Sequence, residues 1–368
     1  MKAVMEGIRV LDLTRLFPGG YLTTILRQMG AEIIKVEPPW GDDARTEEPC
    51  VDGKSYYHQA INRGKKSLVL DLKQADGVDV LRDLARGADV LVENFRPGVT
   101  QRLGIGPEDI RIVNPTLFYL SLTGYGSQSS RAQEAGHDLN YLATTGMLEI
   151  LGMTDLVPGL FVSDVVGALF GVITTLAALY QRKQLGGLSP ASAEVAFSDA
   201  IQHIAVLQQA HFRVAGTPHL PMMKWPSYHI YRTRDGRHLA VGAIERRFWV
   251  AFSGLVEHPE WSDRGRDPTL VGEVAHLVGL RSLDEWIDTF RGHDCCVTAV
   301  RGFQEAMSDP GLNPEPIPPN QWLRWEHESV PEPEFGQHSI QILKDLGYST
   351  ARISRLLAVG VIQKQEGK

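Results

Sequence analysis

Apolar residues in the first third of the chain fall into short, nearly continuous blocks. IRVLDL (8–13), EIIKVE (32–37), SLVLDL (67–72), DVLVENF (89–95) and LFYLSLTG (117–124) are too short for helices and read as buried strands. Between the first two lies GGYLTTILRQMGA, a helical pattern ending at Gly30, and GVDVLRDLARGA separates the third block from the fourth. Alternating strands and helices predict a parallel sheet with helices on both faces, a doubly wound (Rossmann-like) α/β domain. The dinucleotide fingerprint is absent: TRLFPGGYLT, not G-x-G-x-x-G, follows the first strand, so no NAD or FAD site is expected.

Downstream, 137–151 and 164–183 read as helices. The apolar run VVGALFGVITTLAALY, Val165–Tyr180, has 16 residues, fewer than the ~20 a membrane span needs, and is expected to be a buried core helix. LGGLSPASAEVA (185–196) reads as a turn-rich break, 198–213 as a helix, and GTPHLPMMKWPSY as a Pro-rich crossing. SYHIYRTRDGRHLAVGAI then reads as a β-hairpin turning at Asp235-Gly236. Helical stretches follow to about 307, a linker at 309–322, and two short helices in SIQILKDLGYSTARISRLLAVGVI. The expected organisation is a large α/β domain (1–190), a crossing (191–224), a smaller α+β domain (225–305), and a C-terminal return to the large domain (306–368).

Composition narrows the function classes. Hydrophobic residues make up 43% and charged residues 22%, and the net charge is −7, so no global basic field is available for nucleic acid or an anionic membrane. A phosphate-bearing ligand would need a local cluster. Arg45, Arg63, Lys65, Lys66, Lys73, Arg96 and Arg102 all fall near strand ends or the following loops, where open α/β sheets bind ligands. Cys50, Cys295 and Cys296 form neither a disulfide framework nor a metal-site spacing. With no signal-peptide core in MKAVMEGIRVLDLT, a reduced, cytoplasmic setting is expected, with no metal.

Three acid–base candidates stand out. Gly136-His137-Asp138 runs into a helix, and histidine is the residue type whose unperturbed pKa lies near neutrality. Asp138 either donates its backbone N–H, orients a helix, or merely favours a helix dipole from the first turn. Asp164 opens the apolar helix; either it or Ser163 caps that helix, or its partly desolvated carboxylate serves as a base. Glu245 ends the strand in LAVGAIERRFW and, on its own residues, reads first as a surface residue beside Arg246 and Arg247. A second triplet, Gly292-His293-Asp294, is assigned no role.

Taken together, GIRVLDLTRLFPGGYLTTILRQMGAEIIKVEPPWGDDAR, ADVLVENFRPGVTQRLGIG, PTLFYLSLTGYG and ILKDLGYSTARISRLLAVGVI resemble the class III coenzyme A transferases (the CaiB/BaiF type) and alpha-methylacyl-CoA racemases over nearly the whole chain. The resemblance implies an acyl-CoA thioester substrate and no cofactor beyond its coenzyme A moiety. Transferases use an aspartate, here Asp164, to form a mixed anhydride. Racemases add the histidine of a GHD motif, here His137, and the glutamate of a GAIE motif, here Glu245. The resemblance places Leu16, Phe17 and Pro18 by the adenine, and Leu70, Lys73, Asn94, Phe95, Arg96 and Arg102 at other nucleotide-contacting positions. It further implies an interlocked homodimer with Glu245 supplied by the partner of the chain carrying His137. A 2-methylacyl-CoA racemase is the first expectation and a CoA transferase the second. Two departures bear on the ligand: Val165-Val166 follow the aspartate where racemases carry glycines, and Pro38-Pro39 stand where they carry an Arg.

Overall fold

The computed structural model describes residues 3–187, 192–309, 311 and 330–364. The chain forms two compact units: one holds the chain up to Ala205 and the C-terminal segment, the other begins at Val206.

The first unit is built on six parallel strands: β1 (Arg9–Asp12), β2 (Glu32–Glu37), β3 (Lys66–Leu70), β4 (Val90–Glu93), β5 (Phe118–Thr123) and β6 (Ser192–Ala196). Their order is β3-β2-β1-β4-β5-β6, with Ile362–Gln363 added antiparallel to β3. Strand order therefore reverses between β1 and β4, the place where open α/β sheets bind ligands. The helices used below are α1 (Leu16–Gln28), α2 (Tyr56–Asn62), α3 (Ala75–Ala85), α4 (Asp138–Thr144), α5 (Val162–Gln184) and α6 (Phe197–Ile204).

The continuous apolar blocks arise because both sheet faces are covered. Leu11, Ile34, Leu68 and Leu91 pack with Val80, Leu81 and Leu84 of α3 and with the C-terminal residues Ile342, Leu343 and Leu356. Their strand neighbours Val10, Ile33, Val90 and Val92 point the other way, onto Leu22, Ile25 and Leu26 of α1 and Ala168 and Val172 of α5. Small residues let the helices approach closely. A Cβ at Gly171 of α5 would lie 2.2 Å from Leu22, and one at Gly167 2.2 Å from Phe197.

Several expectations change. The stretch read as a turn-rich break contains β6, which pairs with β5 from Tyr119↔Ser192 to Thr123↔Ala196. Its Ser-Ala-Glu-Val-Ala holds a single large apolar residue, Val195, so apolar periodicity does not reveal it. The helix expected over 137–151 is interrupted at Gly146, whose φ of +76° ends α4 before a short turn at Met147–Ile150. The helix expected over 198–213 is two helices meeting at Ala205.

The helix expected over 164–183 is present as α5, Val162–Gln184, but it is only partly buried. α5 has 23 residues, with a mean hydropathy of 1.9 over its most apolar 18-residue window, enough in length and composition to cross a membrane. One face packs on the sheet and α1, while Leu169, Ile173 and Tyr180 stay exposed.

The second unit holds an antiparallel sheet of β7 (Tyr228–Arg232), β8 (His238–Gly242) and β9 (Val297–Ala299), in the order β9-β8-β7. The hairpin turns at Asp235-Gly236 as predicted, with Gly236 at φ +78°. The unit has its own core around Trp249, Phe252, Trp261 and Trp286, and two of the buried indoles donate to backbone carbonyls: Trp249 Nε1 to Trp261 O and Trp286 Nε1 to Val278 O. β9 falls within residues expected to be helical. The linker expected at 309–322 lies almost wholly outside the described residues.

Candidate active site

The strand-order reversal opens a cleft of about 510 Å³ in the first unit. Its walls come from Arg15–Pro18 after β1, Asn94–Pro97 after β4, the end of β5, the start of α4, and the start of α5. Eight residues singled out in the sequence line it together with Asp138: Leu16, Phe17, Pro18, Asn94, Phe95, Arg96, His137 and Asp164. A second cleft of about 220 Å³ shares Arg15 and Phe95 with the first and takes in Leu70 and Lys73. Pro38, Pro39 and Trp40 form its far wall, and the Lys73 ammonium lies 5.1 Å from the Trp40 ring centroid. Arg102 lines neither cleft and is exposed on the short helix Val99–Leu103. Glu245 belongs to the second unit, exposed at the start of the helix Arg246–Leu255.

Asp138 proves to be the residue that organises the site. Its buried carboxylate reaches from the first turn of α4 to the start of α5. There, Asp138 Oδ1 accepts from the backbone N–H of Ser163 at 2.6 Å and of Asp164 at 3.1 Å, and from the Ser163 hydroxyl at 2.7 Å. The expected capping of α5 by Ser163 or Asp164 is thereby overturned: a helix start 25 residues away in sequence supplies the cap.

The cap has an electrostatic consequence. An anion in the first turn of a helix is ordinarily favoured by the dipole and the free N–H groups. Here Asp138 has taken those N–H groups and added its own negative charge. Burial, followed by repulsion from Asp138, pushes the Asp164 carboxyl up to about 7. Among the described residues no donor reaches the Asp164 carboxylate to offset this. A carboxyl poised there exchanges a proton readily in either direction at neutral pH.

His137 precedes α4 and its ring is exposed to the cleft. Its backbone is fixed: His137 N–H donates to Asn140 Oδ1 at 3.0 Å, and its carbonyl accepts from Asn140 and Tyr141 N–H. The N–H groups of Asp138 and Leu139 have no protein acceptor among the described residues and sit at the mouth of α4. Tyr141 holds the preceding turn by donating to Gly136 O at 2.7 Å. Gly136 is required there, since a Cβ would meet the Tyr141 ring at 2.8 Å.

The opposite wall is aromatic. Phe17 packs on Tyr21, Tyr57 and Phe161 with ring centroids 5.3, 6.3 and 5.8 Å away. Burial, with the nearby carboxylates of Asp164 and Asp42, holds the Tyr57 phenol above its ordinary range, so it remains a hydrogen-bond donor. Tyr57, Tyr141 and Phe161 were not singled out in the sequence; isolated aromatics without a spacing pattern give no signal.

Asn94 bridges the reversal point. Its side-chain oxygen accepts from Arg15 N–H at 3.0 Å and its amide donates to Arg15 O at 2.9 Å, locking the loop after β4 to the loop after β1. Beneath it, Glu93 Oε2 accepts from Phe95 N–H at 2.7 Å, and burial pushes that carboxyl up to about 7.

The basic cluster is smaller than expected. Arg45 forms a forked pair with Glu37 at 2.6 and 2.7 Å, Lys65 is buried against Asp12 at 3.1 Å, and Lys66 pairs with Glu32. These cations neutralise the protein's own carboxylates. Lys73 and Arg96 are the members of the set that line the clefts, and Arg63 bonds Gln59.

Comparisons with known proteins bear on the family and the fold. The sequence profile of CoA-transferase family III matches residues 5–320. The chain is 30% identical to human alpha-methylacyl-CoA racemase, covering 99% of each chain. It is 31% identical to human succinyl-CoA:glutarate CoA-transferase, over 98% of this chain and 90% of that one. A solved CaiB/BaiF family protein from Brucella suis has the same fold, with a TM-score of 0.80 and 22% identity over 94% of this chain and 100% of that one.

Proposed function

This chain belongs to CoA-transferase family III, and we propose that it is a racemase of 2-methylacyl-CoA thioesters. The observation that carries this reading is the meeting of His137 and Asp164 in the lining of one cleft, with Asp164 pushed up to about 7. A hydrogen on the carbon next to a thioester is weakly acidic. One residue removes that proton from one face, leaving an enolate, and the conjugate acid of the other returns a proton to the opposite face. His137 serves one face and Asp164 the other. The unoccupied N–H of Asp138 is the proposed donor to the enolate oxygen. Leu16, Phe17, Pro18, Leu70, Lys73, Asn94, Phe95, Arg96 and Arg102 are the proposed coenzyme A positions, with Arg102 in the weakest place. No cofactor beyond the substrate's coenzyme A takes part in the scheme.

The active assembly is proposed to be an interlocked homodimer in which the partner's copy of Glu245 supports His137. The exposed Leu169, Ile173 and Tyr180 of α5 and the helix Val206–Ala215, none of whose residues is buried, favour such an assembly. An inactive H137A chain and an inactive E245A chain, mixed and refolded together, are then expected to regain activity.

A second reading has specific support, because relatives named as CoA-transferases match as well as the racemase does. In it the Asp164 carboxylate attacks the thioester carbonyl, coenzyme A leaves as the thiolate, and a mixed anhydride forms. His137 has no part in that step. Proton NMR of an (S)-2-methylacyl-CoA with the protein in deuterated water, without an acceptor acid, separates the two. Loss of the α-proton signal with growth of the (R) epimer is the expected result. New thioesters formed only after adding free carboxylic acids would replace it with the transferase.

A further inference from the structure

The turn Thr14-Arg15-Leu16 between β1 and α1 forms one wall of the cleft, and it is strained. Leu16 sits at φ +62°, the left-handed region that a leucine rarely adopts. Such a conformation persists only where the surroundings impose it.

The surroundings here are polar side chains, most of them buried. Asp12 Oδ1 accepts from Thr14 N–H at 3.0 Å. Lys35 Nζ donates to Thr14 O at 2.5 Å. Asn94 takes both backbone polar groups of Arg15. Asp42 Oδ1 accepts from Leu16 N–H at 3.2 Å and, two residues on in its own loop, from Ala44 N–H at 3.1 Å. Every backbone donor and acceptor from Thr14 N–H to Leu16 N–H is therefore held by a side chain. Lys35 ties the clamp together: fully buried, it lies 2.9 Å from Asp42 Oδ2 and 3.8 Å from Asp12 Oδ1. With Lys65 against the other Asp12 oxygen, two cations meet two anions and the buried charge cancels.

We propose that Asp42 and Lys35, which line neither cleft, are positioning residues that hold Leu16 in its left-handed conformation and so shape the wall Leu16–Pro18 for the coenzyme. The argument rests on reading the cleft as the coenzyme A site. Asp42 acts directly on the Leu16 amide; Lys35 orients Asp42 and anchors Thr14.

Two measurements on the full-length protein test this. Hydrogen–deuterium exchange of the peptide spanning residues 14–18, without ligand, reads the clamp alone. Calorimetric titration with free coenzyme A reads its consequence. Asp42→Ala is expected to speed exchange of that peptide about tenfold, with little change elsewhere, and to raise the Kd for coenzyme A by about tenfold. Lys35→Met is expected to act in the same direction. Asp42→Asn, which keeps an acceptor for the Leu16 amide but loses the Lys35 partner, is expected to speed exchange less than Asp42→Ala does.

The decisive readout is a sign. Leu16→Gly removes a cleft wall and weakens coenzyme A binding in the wild type. In the Asp42→Ala background it strengthens binding, because glycine takes the left-handed conformation unaided. If Asp42→Ala does not fold, Lys35→Met, which releases Asp42 and Thr14 and lines neither cleft, serves as the background. Unchanged exchange in Asp42→Ala, or an equal loss from Leu16→Gly in both backgrounds, overturns the proposal. Wild-type protein that does not bind coenzyme A while the exchange results hold would overturn the reading of the cleft and leave the clamp standing.

Discussion

The tripeptide Gly-His-Asp occurs twice in this chain, and the two copies live in different physical surroundings. At 136–138 the aspartate is buried, bonds the first N–H groups of a helix 25 residues away, and leaves the histidine facing a cleft. At 292–294 the glycine takes φ +77° in a turn, and His293 and Asp294 are both exposed before β9. Identical residues thus face a cleft or open solvent according to what packs against the aspartate. The difference is made by Ser163 and Asp164, which the second copy lacks.

The largest test of this contrast is catalytic. H137A and D164A are each expected to slow α-proton exchange by about 10³-fold, the usual worth of a placed acid or base. H293A is expected to match wild type in the same NMR assay. An H293A loss comparable to that of H137A would abolish the distinction. In the two-base mechanism, the forms that accept (R) and (S) substrate are tautomers sharing one proton. Both epimers should therefore give the same bell-shaped pH profile of kcat/KM, with apparent values belonging to the pair.

Next in size is a pH effect on stability. Asp164 titrates at about 7 in the folded chain against an ordinary value of 3.8. Between those values the folded chain keeps a proton that the unfolded chain has lost, so this group makes stability fall as pH rises from about 4 to 7. Above pH 7 the ionised carboxylate costs up to ~4 kcal/mol. D164N should recover much of that at pH 8 in urea unfolding and nothing at pH 4. Equal stabilisation at both pH values would mean Asp164 is not poised by burial and Asp138.

D138A should cost about 2 kcal/mol, since it strips three donors at the start of α5 of their acceptor. D294A should stay within ~0.5 kcal/mol, as for other exposed sites. D138A should also lower the Asp164 pKa, by removing the adjacent negative charge. The smallest contrast concerns the coenzyme: R96A is expected to raise the Kd for coenzyme A about fivefold, whereas R102A, exposed outside both clefts, should change it less than twofold.

Much of the fold was legible because the parallel strands are buried on both faces and therefore read as continuous apolar blocks. EIIKVE matches β2 residue for residue, and the hairpin at Asp235-Gly236 follows from turn chemistry. β6 was not legible: its Ser-Ala-Glu-Val-Ala carries little apolar signal and is held by pairing with β5. α5 was legible to within two residues at each end, whereas its exposed face, with Leu169, Ile173 and Tyr180, was not. His137 and Asp164 were legible as candidates, whereas Tyr57, Asp42 and Lys35 were not. Lys35 reads as a polar interruption in a strand, and nothing nearby in sequence announces that two carboxylates bury it.

By itself the sequence determined which segments become strands and helices, because side-chain periodicity is a local property of the chain. It also settled membership of the family, through long ordered stretches of similarity. Tertiary structure alone decided which charges are spent internally, which aspartate caps α5, and why Asp164 holds its proton near neutrality. Those outcomes depend on distances between residues far apart in the chain. Electrostatic energies change steeply over a few ångströms and with exclusion of water, and only the folded arrangement sets either.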